Sequence, residues 1–294
     1  MGRRKRHHTV TRMLLEGFSE RGHVTTHVRE GREFGQSIHN ATVVADFYSF
    51  DNTDGPDDAV EGWLADVVEG DFHGLLPALR RGEQPTSDTQ PAIARFVATA
   101  VVRTRTARSY LDQIEHHTIG STVLMKVAPS LGWKLGEMST AEVRHLRDMC
   151  QRAYESLPRR PDHAASNLRV VVRESRRIEG ALLQYVWSVA TTSEVAFLLG
   201  DAPVLALSGH ASGWHGLVPN GATVFLPLSP QAVLLGQPHV FGRSFSADRL
   251  VTTVNALTVR EAYEAVFRHP WMPWPSGVLL GPHPPRLPEP SLSI

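Results

Sequence analysis

The sequence contains a single cysteine and no long apolar run, and each absence narrows the class of protein. One thiol cannot form an intramolecular disulfide, so the fold depends on its core and its polar contacts. No uninterrupted apolar stretch approaches the roughly 20 residues that cross a bilayer, and no apolar signal-peptide core follows the basic start. We therefore expect a cytoplasmic protein that has no membrane partner.

The chain also lacks net charge, and it has little lysine. Its 30 basic and 30 acidic residues balance, so no global field attracts nucleic acid or an anionic membrane. Lysine occurs only at Lys5, Lys126 and Lys134. The basic run Arg3 to Arg6 could touch phosphates, but short terminal runs of this kind are mostly solvated. A small-molecule substrate is therefore favoured, and nucleic acid stays an alternative partner.

Familiar catalytic signatures are absent as well. The sequence has no phosphate-binding loop, no dinucleotide glycine pattern and no Gly-x-Ser-x-Gly. Its 15 histidines show no zinc-ligand spacing with cysteine or acidic residues. Cys150 falls on the apolar face of a predicted helix, where a thiol is usually an inert small hydrophobe. These absences disfavour nucleotide-binding, zinc and thiol chemistry.

The hydrophobic pattern predicts strands toward both ends of the chain and helices between them. Short β segments are expected within 13–50, with a hairpin turn at Gly31. Helices are predicted at about 57–80, 91–111, 139–157 and 168–183, the third of them opened by a capping box at Ser139 to Glu142. Strands are then expected at 185–189, 195–199, 204–207 and 223–228, followed by a helix over 246–268.

This order of elements favours one α+β domain over residues 1–270. We expect a mixed, mostly antiparallel sheet that combines strands from the N- and C-terminal parts, with a central group of helices. Residues 271–294 are rich in proline, which predicts an extended C-terminal tail.

Two carboxylates on one predicted helix form the first candidate site. Glu61 and Glu69 are eight residues apart, which places them about 80° apart around the helix, on either side of an apolar stripe. Burying an unpaired carboxylate costs several kcal/mol, and Arg103 on the next helix is a suitable partner because its planar fork binds carboxylates at two points. The pattern indicates either a polar site between the helices or a structural ion pair that fixes their registry.

Further candidate residues lie outside these two helices. Asp201 follows a predicted strand, where an aspartate often only caps its own turn. His7 and His8 precede an apolar stretch, and adjacent histidine side chains diverge, so they seldom ligate one metal together. Each of these residues fits a structural role or a site role.

Several short motifs keep a fixed order along the chain. They are Arg6 to Phe18 with His8-Thr9-Val10-Thr11, Ala45-Asp46-Phe47-Tyr48, Glu61 and Glu69, Val102-Arg103-Thr104, Trp187, Gly200-Asp201-Ala202-Pro203, and Leu226-Pro227-Leu228-Ser229-Pro230. From about Arg6 to Arg268 the chain resembles the bacterial domain-of-unknown-function family 4238, whose first motif is His-Tyr-Val-Pro-like. Thr9 and Thr11 depart from that motif, and Gly200 and Ala202 depart from the family's later hydroxyl and amide residues.

The resemblance carries no activity of its own, but it implies a site. We expect catalytic roles for His8, Glu61, Glu69, Arg103 and Asp201, and substrate contacts from His7, Tyr48, Thr104 and Trp187. Arg103 would bind an anionic or carbonyl group, one glutamate would act as general base or metal ligand, and His8 would move protons.

Hydrolysis or acyl or amide transfer on a small polar substrate is the favoured function. A nuclease that uses Mg²⁺ or Mn²⁺ is one alternative, since clustered carboxylates bind these ions. A binding protein without enzymatic activity, in which the same residues form structural Arg–Glu pairs, is the other.

Overall fold

The computed structural model describes residues 6–29, 31–45, 51–52, 55–56, 69–156, 162–194, 196–207, 221–238 and 245–282. The strands are β1 (Arg6–His8), β2 (His23–Val28), β3 (Glu33–Ser37), β4 (Val43–Ala45), β5 (Asp51–Asn52), β6 (Gly55–Pro56), β7 (Tyr185–Thr191), β8 (Leu199–Gly200), β9 (Leu205–Leu207), β10 (Thr223–Ser229), β11 (Ala232–Pro238) and β12 (Ala265–Arg268). The helices are α1 (Arg12–Gly17), α2 (Gly70–Arg80), α3 (Gln90–Val102), α4 (Arg105–Val127), α5 (Thr140–Glu155), α6 (Asp162–Leu182) and α7 (Ala247–Glu261). The predicted α+β class is confirmed.

The first four-stranded sheet joins the two ends of the chain. Its order is β3-β2-β12-β8, and the pairs are antiparallel. The central contact places Thr26 of β2 opposite Phe267 of β12. The expected sheet shared by N- and C-terminal strands is therefore present.

A second four-stranded sheet comes entirely from residues 185–238, so the expectation of one sheet is incomplete. Its order is β7-β11-β10-β9, again with antiparallel pairs. Only Pro230 and Gln231 separate β10 from β11. Because the apolar residues of the two strands follow each other so closely in the sequence, β11 is not predicted as a separate strand. At the outer strand β7, the Gln84 side chain exchanges two hydrogen bonds with the main chain of Val189, at 2.9 and 3.0 Å.

The main core lies between the second sheet and the helices that pack on it. Fully buried side chains from both layers fill it, including Leu14, Phe72, Phe96 and Phe225. A smaller apolar cluster contains Leu198, Val259, Ala262, Val266 and Met272. Because Val266 is on β12, this cluster lies against the first sheet.

Three further predicted elements, besides the unpredicted β11 and the helix predicted over 91–111, differ from the observed ones. Residues 12–17 form α1 instead of a strand, which buries Met13, Leu14 and Leu15 together. The helix predicted over 246–268 ends at Glu261, and β12 follows it. The strand predicted over 195–199 is reduced to β8, because the Asn255 side chain bonds Ala196 O and Leu198 N where a strand partner would stand.

Two predictions that rest on a few neighbouring residues agree with the structure. The capping box of α5 is present, with Ser139 and Glu142 bonded reciprocally. Gly31 has a φ of +79° in the turn between β2 and β3, a backbone conformation that favours glycine. Residues 57–68 of the first predicted helix, which include Glu61, lie outside the described residues.

The first part of the proline-rich region, up to Leu280, packs against the rest of the protein. Met272 is 3% exposed, and Trp274, Val278 and Leu280 contact the smaller apolar cluster. The division into a domain at 1–270 and a tail at 271–294 stays a prediction.

Gly17 lies where a side chain would collide with the half-buried Arg80. Arg80 donates from Nε to Leu228 O at 2.9 Å and from Nη2 to Met13 O at 2.6 Å. Burial lowers the pKa of Arg80, and Glu16 partly offsets this effect. A Cβ on Gly17 would lie 2.5 Å from Arg80 Nη2 and would also press on Leu228 O. The N-terminal motif and the Leu226 to Pro230 motif thus meet through one guanidinium.

We predict that Thr11→Pro stabilises the protein. Thr11 has a φ of −61°, it is 4% exposed, and its buried hydroxyl makes no hydrogen bond to the described residues. Proline fits this φ and restricts the unfolded chain, which adds about 0.5–1 kcal/mol. Thermal unfolding measures the effect, and Thr11→Val separates hydroxyl removal from backbone restriction. A lower melting temperature for the proline variant would contradict this account.

We predict that Gly17→Ala destabilises the protein by about 1–3 kcal/mol, because Arg80 or the β10 main chain has to move. Gly74→Ala in α2 is the matched control, since a Cβ there meets nothing within 4 Å. Urea titration gives both free energies of unfolding. Equal free energies of unfolding for the two variants would show that Arg80 can move away from residue 17 without loss of stability.

Candidate functional site

The helix predicted over 91–111 is broken at Arg103 and Thr104, and this break positions the candidate site. α3 ends at Val102 and α4 begins at Arg105. Thr104 caps α4, since its hydroxyl accepts from Ala107 N at 3.0 Å, and it also donates to Val101 O at 3.0 Å. Thr104 is 5% exposed. Its contacts therefore fit a structural role in the break.

Arg103 joins α2 to β1 from this break. Its guanidinium forms an ion pair with Glu69, the residue directly before α2. The same guanidinium donates to the main-chain oxygen of His8 at 3.2 Å. Arg103 is 7% exposed, whereas 28% of the Glu69 side chain is exposed. The predicted contact between Arg103 and Glu69 is present, and it brings His8 to the same place.

The His8 ring is oriented by a second contact. Its Nδ1 lies 3.1 Å from Ala41 O, at the start of the segment that leads into β4. A carbonyl oxygen can only accept, so Nδ1 carries a proton. In the neutral ring Nε2 is then the basic nitrogen, which is the arrangement that a proton acceptor needs.

Among the predicted site residues that the structure describes, Trp187 and Asp201 make no contact with Arg103, Glu69 or His8 that the described residues show. Trp187 is 4% exposed in the main core, with its ring over Gly236 on β11. Its indole nitrogen is buried and has no hydrogen-bond partner among the described residues. His7 pairs with Val44 through the main chains of β1 and β4, and its side chain is not among the parts that the structure describes. Glu61 and Tyr48 lie outside the described residues.

Asp201 is engaged at the turn between α7 and β12. Its carboxylate accepts hydrogen bonds from Tyr263 N and Glu264 N at 2.7 Å and from Ala265 N at 3.1 Å. Burial raises the pKa of Asp201 from 3.8 to about 6, although the three N–H donors act in the opposite direction. These contacts fit a structural role better than catalysis, but the turn that Asp201 caps is the distant one after α7, whereas the sequence predicts that it caps its own. The catalytic role stays a prediction.

Arg29 binds the carbonyl groups of the same turn. It donates to Val259 O at 3.2 Å, to Tyr263 O at 3.0 Å and to Ala262 O. Burial lowers the pKa of Arg29, and the charge of Asp201 partly offsets this effect. The turn therefore has a carboxylate on its N–H groups and a guanidinium on its carbonyl groups.

A second ion pair connects this turn to the break between α3 and α4. Arg105, the first residue of α4, pairs with Glu264. Glu264 N is in turn bonded to Asp201. Sequence reasoning missed Arg29, Arg105 and Glu264, because main-chain acceptors and distant partners leave no local pattern.

The described residues include no group of three or more His, Cys, Asp and Glu side chains that could hold a metal ion. Among the helices of this part of the chain, none is both long and apolar enough to cross a membrane.

A family model described as "Protein of unknown function (DUF4238)" matches residues 6–271. The chain therefore belongs to this family, as its ordered motifs predict. Neither curated proteins nor solved structures provide a match.

We predict that Asp201→Asn lowers the free energy of unfolding by about 1–3 kcal/mol near neutral pH, because the amide cannot accept all three N–H bonds. A folded-state pKa of about 6, above the unfolded value of 3.8, stabilises the native state below pH 3.8. That contribution is lost as the pH rises through about 6. The wild type should therefore gain stability over the variant on acidification from about pH 7.5 to about pH 4.5.

Chemical unfolding at the two pH values measures this difference. Asp88→Asn is the control, since Asp88 is exposed and its carboxylate accepts one hydrogen bond from the described residues, that of the Ser87 hydroxyl. A gap between wild type and Asp201→Asn that narrows on acidification would contradict the raised pKa.

Proposed function

We propose that this member of the DUF4238 family is an enzyme that catalyses hydrolysis or acyl or amide transfer on a small polar substrate. The observation that carries the proposal is the pair of contacts made by Arg103, which binds the Glu69 carboxylate and the main chain of His8. One buried cation thereby contacts the Glu69 carboxylate and the backbone of the residue that carries the imidazole, and both side chains are of types that transfer protons.

Glu69 is the candidate general base. Part of its side chain reaches solvent, so a substrate or a water molecule can approach the carboxylate. Its position directly before α2 and its ion pair with Arg103 restrict its orientation. A fixed orientation is what proximity effects in catalysis require.

His8 is the candidate proton shuttle. The bond from Nδ1 to Ala41 O sets the tautomer, so the neutral ring can accept a proton at Nε2 and return it. Arg103 holds the Glu69 carboxylate and the main chain of His8, and its guanidinium supplies a positive charge that would stabilise a negative charge developing beside it in acyl transfer. Among the described residues, Asp201 is linked to this arrangement through Glu264 N and the Glu264–Arg105 ion pair.

A binding protein without catalytic activity is the second candidate. The observation that favours it is a repeated contact type: Arg29, Arg80 and Arg268 all donate to main-chain carbonyl groups. The bond from Arg103 to His8 O belongs to the same type. In this alternative the Arg103–Glu69 pair only fixes the position of β1 against α2.

We predict that His8→Gln and Glu69→Gln each reduce turnover by about 100-fold or more, the usual contribution of a positioned acid or base. The probes are 4-nitrophenyl acetate, an amino-acid 4-nitroanilide, and bis(4-nitrophenyl) phosphate with and without Mn²⁺. His23→Gln and Glu83→Gln are the controls, because both residues are exposed. Melting temperatures measured in parallel separate lost chemistry from lost folding.

Arg103→Lys distinguishes the two candidates. Lysine keeps the charge and loses the planar fork, so the enzyme should lose turnover by more than its stability explains. A large fall in melting temperature with unchanged specific activity would assign Arg103 a structural role. Absence of turnover on every probe, together with that fall, would favour the binding protein, and turnover on the phosphodiester alone would favour the nuclease.

A further inference from the structure

The segment 269–282, here called the strap, covers the smaller apolar cluster. Met272 is buried in this cluster, and Trp274, Val278 and Leu280 pack against it. The other side of the contact is formed by Leu198, Val259, Ala262 and Val266. The strap is therefore a short irregular segment that closes one face of the first sheet.

Two arginines attach the strap through its main chain. Arg29 donates to Gly281 O at 2.7 Å. Arg268 donates to His269 O at 3.4 Å, to Pro270 O at 3.3 Å and to Met272 O. Carbonyl groups carry no titratable proton and arginine stays charged, so these bonds do not change between pH 5 and 8.

His269 belongs to the strap and contacts Trp271 within it, whereas His27 lies against the strap from β2. The His27 ring on β2 stacks on Trp274, with ring centroids 4.3 Å apart and planes inclined by 25°. The indole is fixed by a 2.6 Å hydrogen bond from its nitrogen to Val278 O. A change of charge on His27 therefore acts directly on its contact with the Trp274 ring.

A carboxylate lies beside the same ring. His27 Nδ1 is 3.6 Å from Glu33 Oε2 on β3, too far for a hydrogen bond. Nδ1 is buried and makes no hydrogen bond to the described residues. The other Glu33 oxygen accepts from Arg268 Nη2 at 2.5 Å. Among the described residues, the charged group in contact with His27 is thus Glu33 on β3, which is in turn paired with Arg268 on β12.

We propose that the strap is a pH-sensitive cover, which is bound more tightly when His27 is protonated. A proton on His27 turns the stack on Trp274 into a cation–π contact. It also adds a charge attraction between the ring and the Glu33 carboxylate, whose Oε2 lies 3.6 Å from Nδ1. Loss of the proton removes both attractions and leaves the arginine bonds, so the strap opens more often at higher pH.

Hydrogen–deuterium exchange of the full-length protein tests the cover. We expect the protection of amides in 272–281, corrected for intrinsic exchange rates, to rise by roughly three- to tenfold from about pH 8 to about pH 5.5, the range in which histidine changes charge. Unchanged or falling protection in the wild type would overturn the proposal.

Substitutions at His27 test whether this residue carries the proton that causes the rise in protection. His27→Phe keeps a ring against Trp274 and should abolish the rise, whereas His23→Gln on the same strand is exposed and should keep it. His27→Gln is the second variant in case the phenylalanine ring disturbs folding. A rise that persists in both His27 variants contradicts the proposal.

Asp201 is the competing proton site, because its pKa of about 6 falls in the same range and Arg29 links its turn to Gly281. Asp201→Asn should keep the rise in strap protection. Loss of the rise in this variant, with retention in His27→Phe, would transfer the effect to Asp201.

Discussion

The contact between Asp201 and the three N–H groups after α7 is the constraint on which most of the architecture depends. It ends the helix, directs the chain into β12 and so brings the C-terminal part beside β2. The opposite charge of Arg29 satisfies the carbonyl groups on the other side of the turn. A buried carboxylate is costly unless it is fully hydrogen-bonded, and here the main chain supplies the donors.

Arginines that bind main-chain carbonyl groups connect parts of the chain that are far apart in sequence. Arg80 joins α2 to α1 and β10, and Arg103 joins the break after α3 to β1. A guanidinium suits this task because it offers five donors in a fixed plane and stays charged when buried. These contacts explain why motifs scattered over the sequence meet, without requiring that every motif residue takes part in chemistry.

The parts of the structure that could be predicted from sequence are those specified by neighbouring residues. The α5 capping box and the turn at Gly31 follow from short-range spacing. The pairing of Glu69 with Arg103 joins residues 34 positions apart, and it is predictable because a carboxylate and a guanidinium are expected on neighbouring helices. The end of α7 could not be predicted, because Ala262 to Arg268 continues an acceptable helical pattern until Asp201, some 60 residues away in sequence, binds its N–H groups. The same limit applies to the Glu264–Arg105 pair, which joins residues 159 positions apart.

The break between α3 and α4 also has a geometric consequence. α4 has 23 residues, which makes it about 35 Å long, and α5 packs back along it, with Gly120 N donating to Gln151 at 2.8 Å. A rotation of about 10° at Thr104 would move the far end of this helical pair by about 6 Å, given that length. Thr104 directly follows Arg103 in the chain. Such a rotation of α4 and α5 would therefore also displace Arg103 relative to Glu69 in the candidate site.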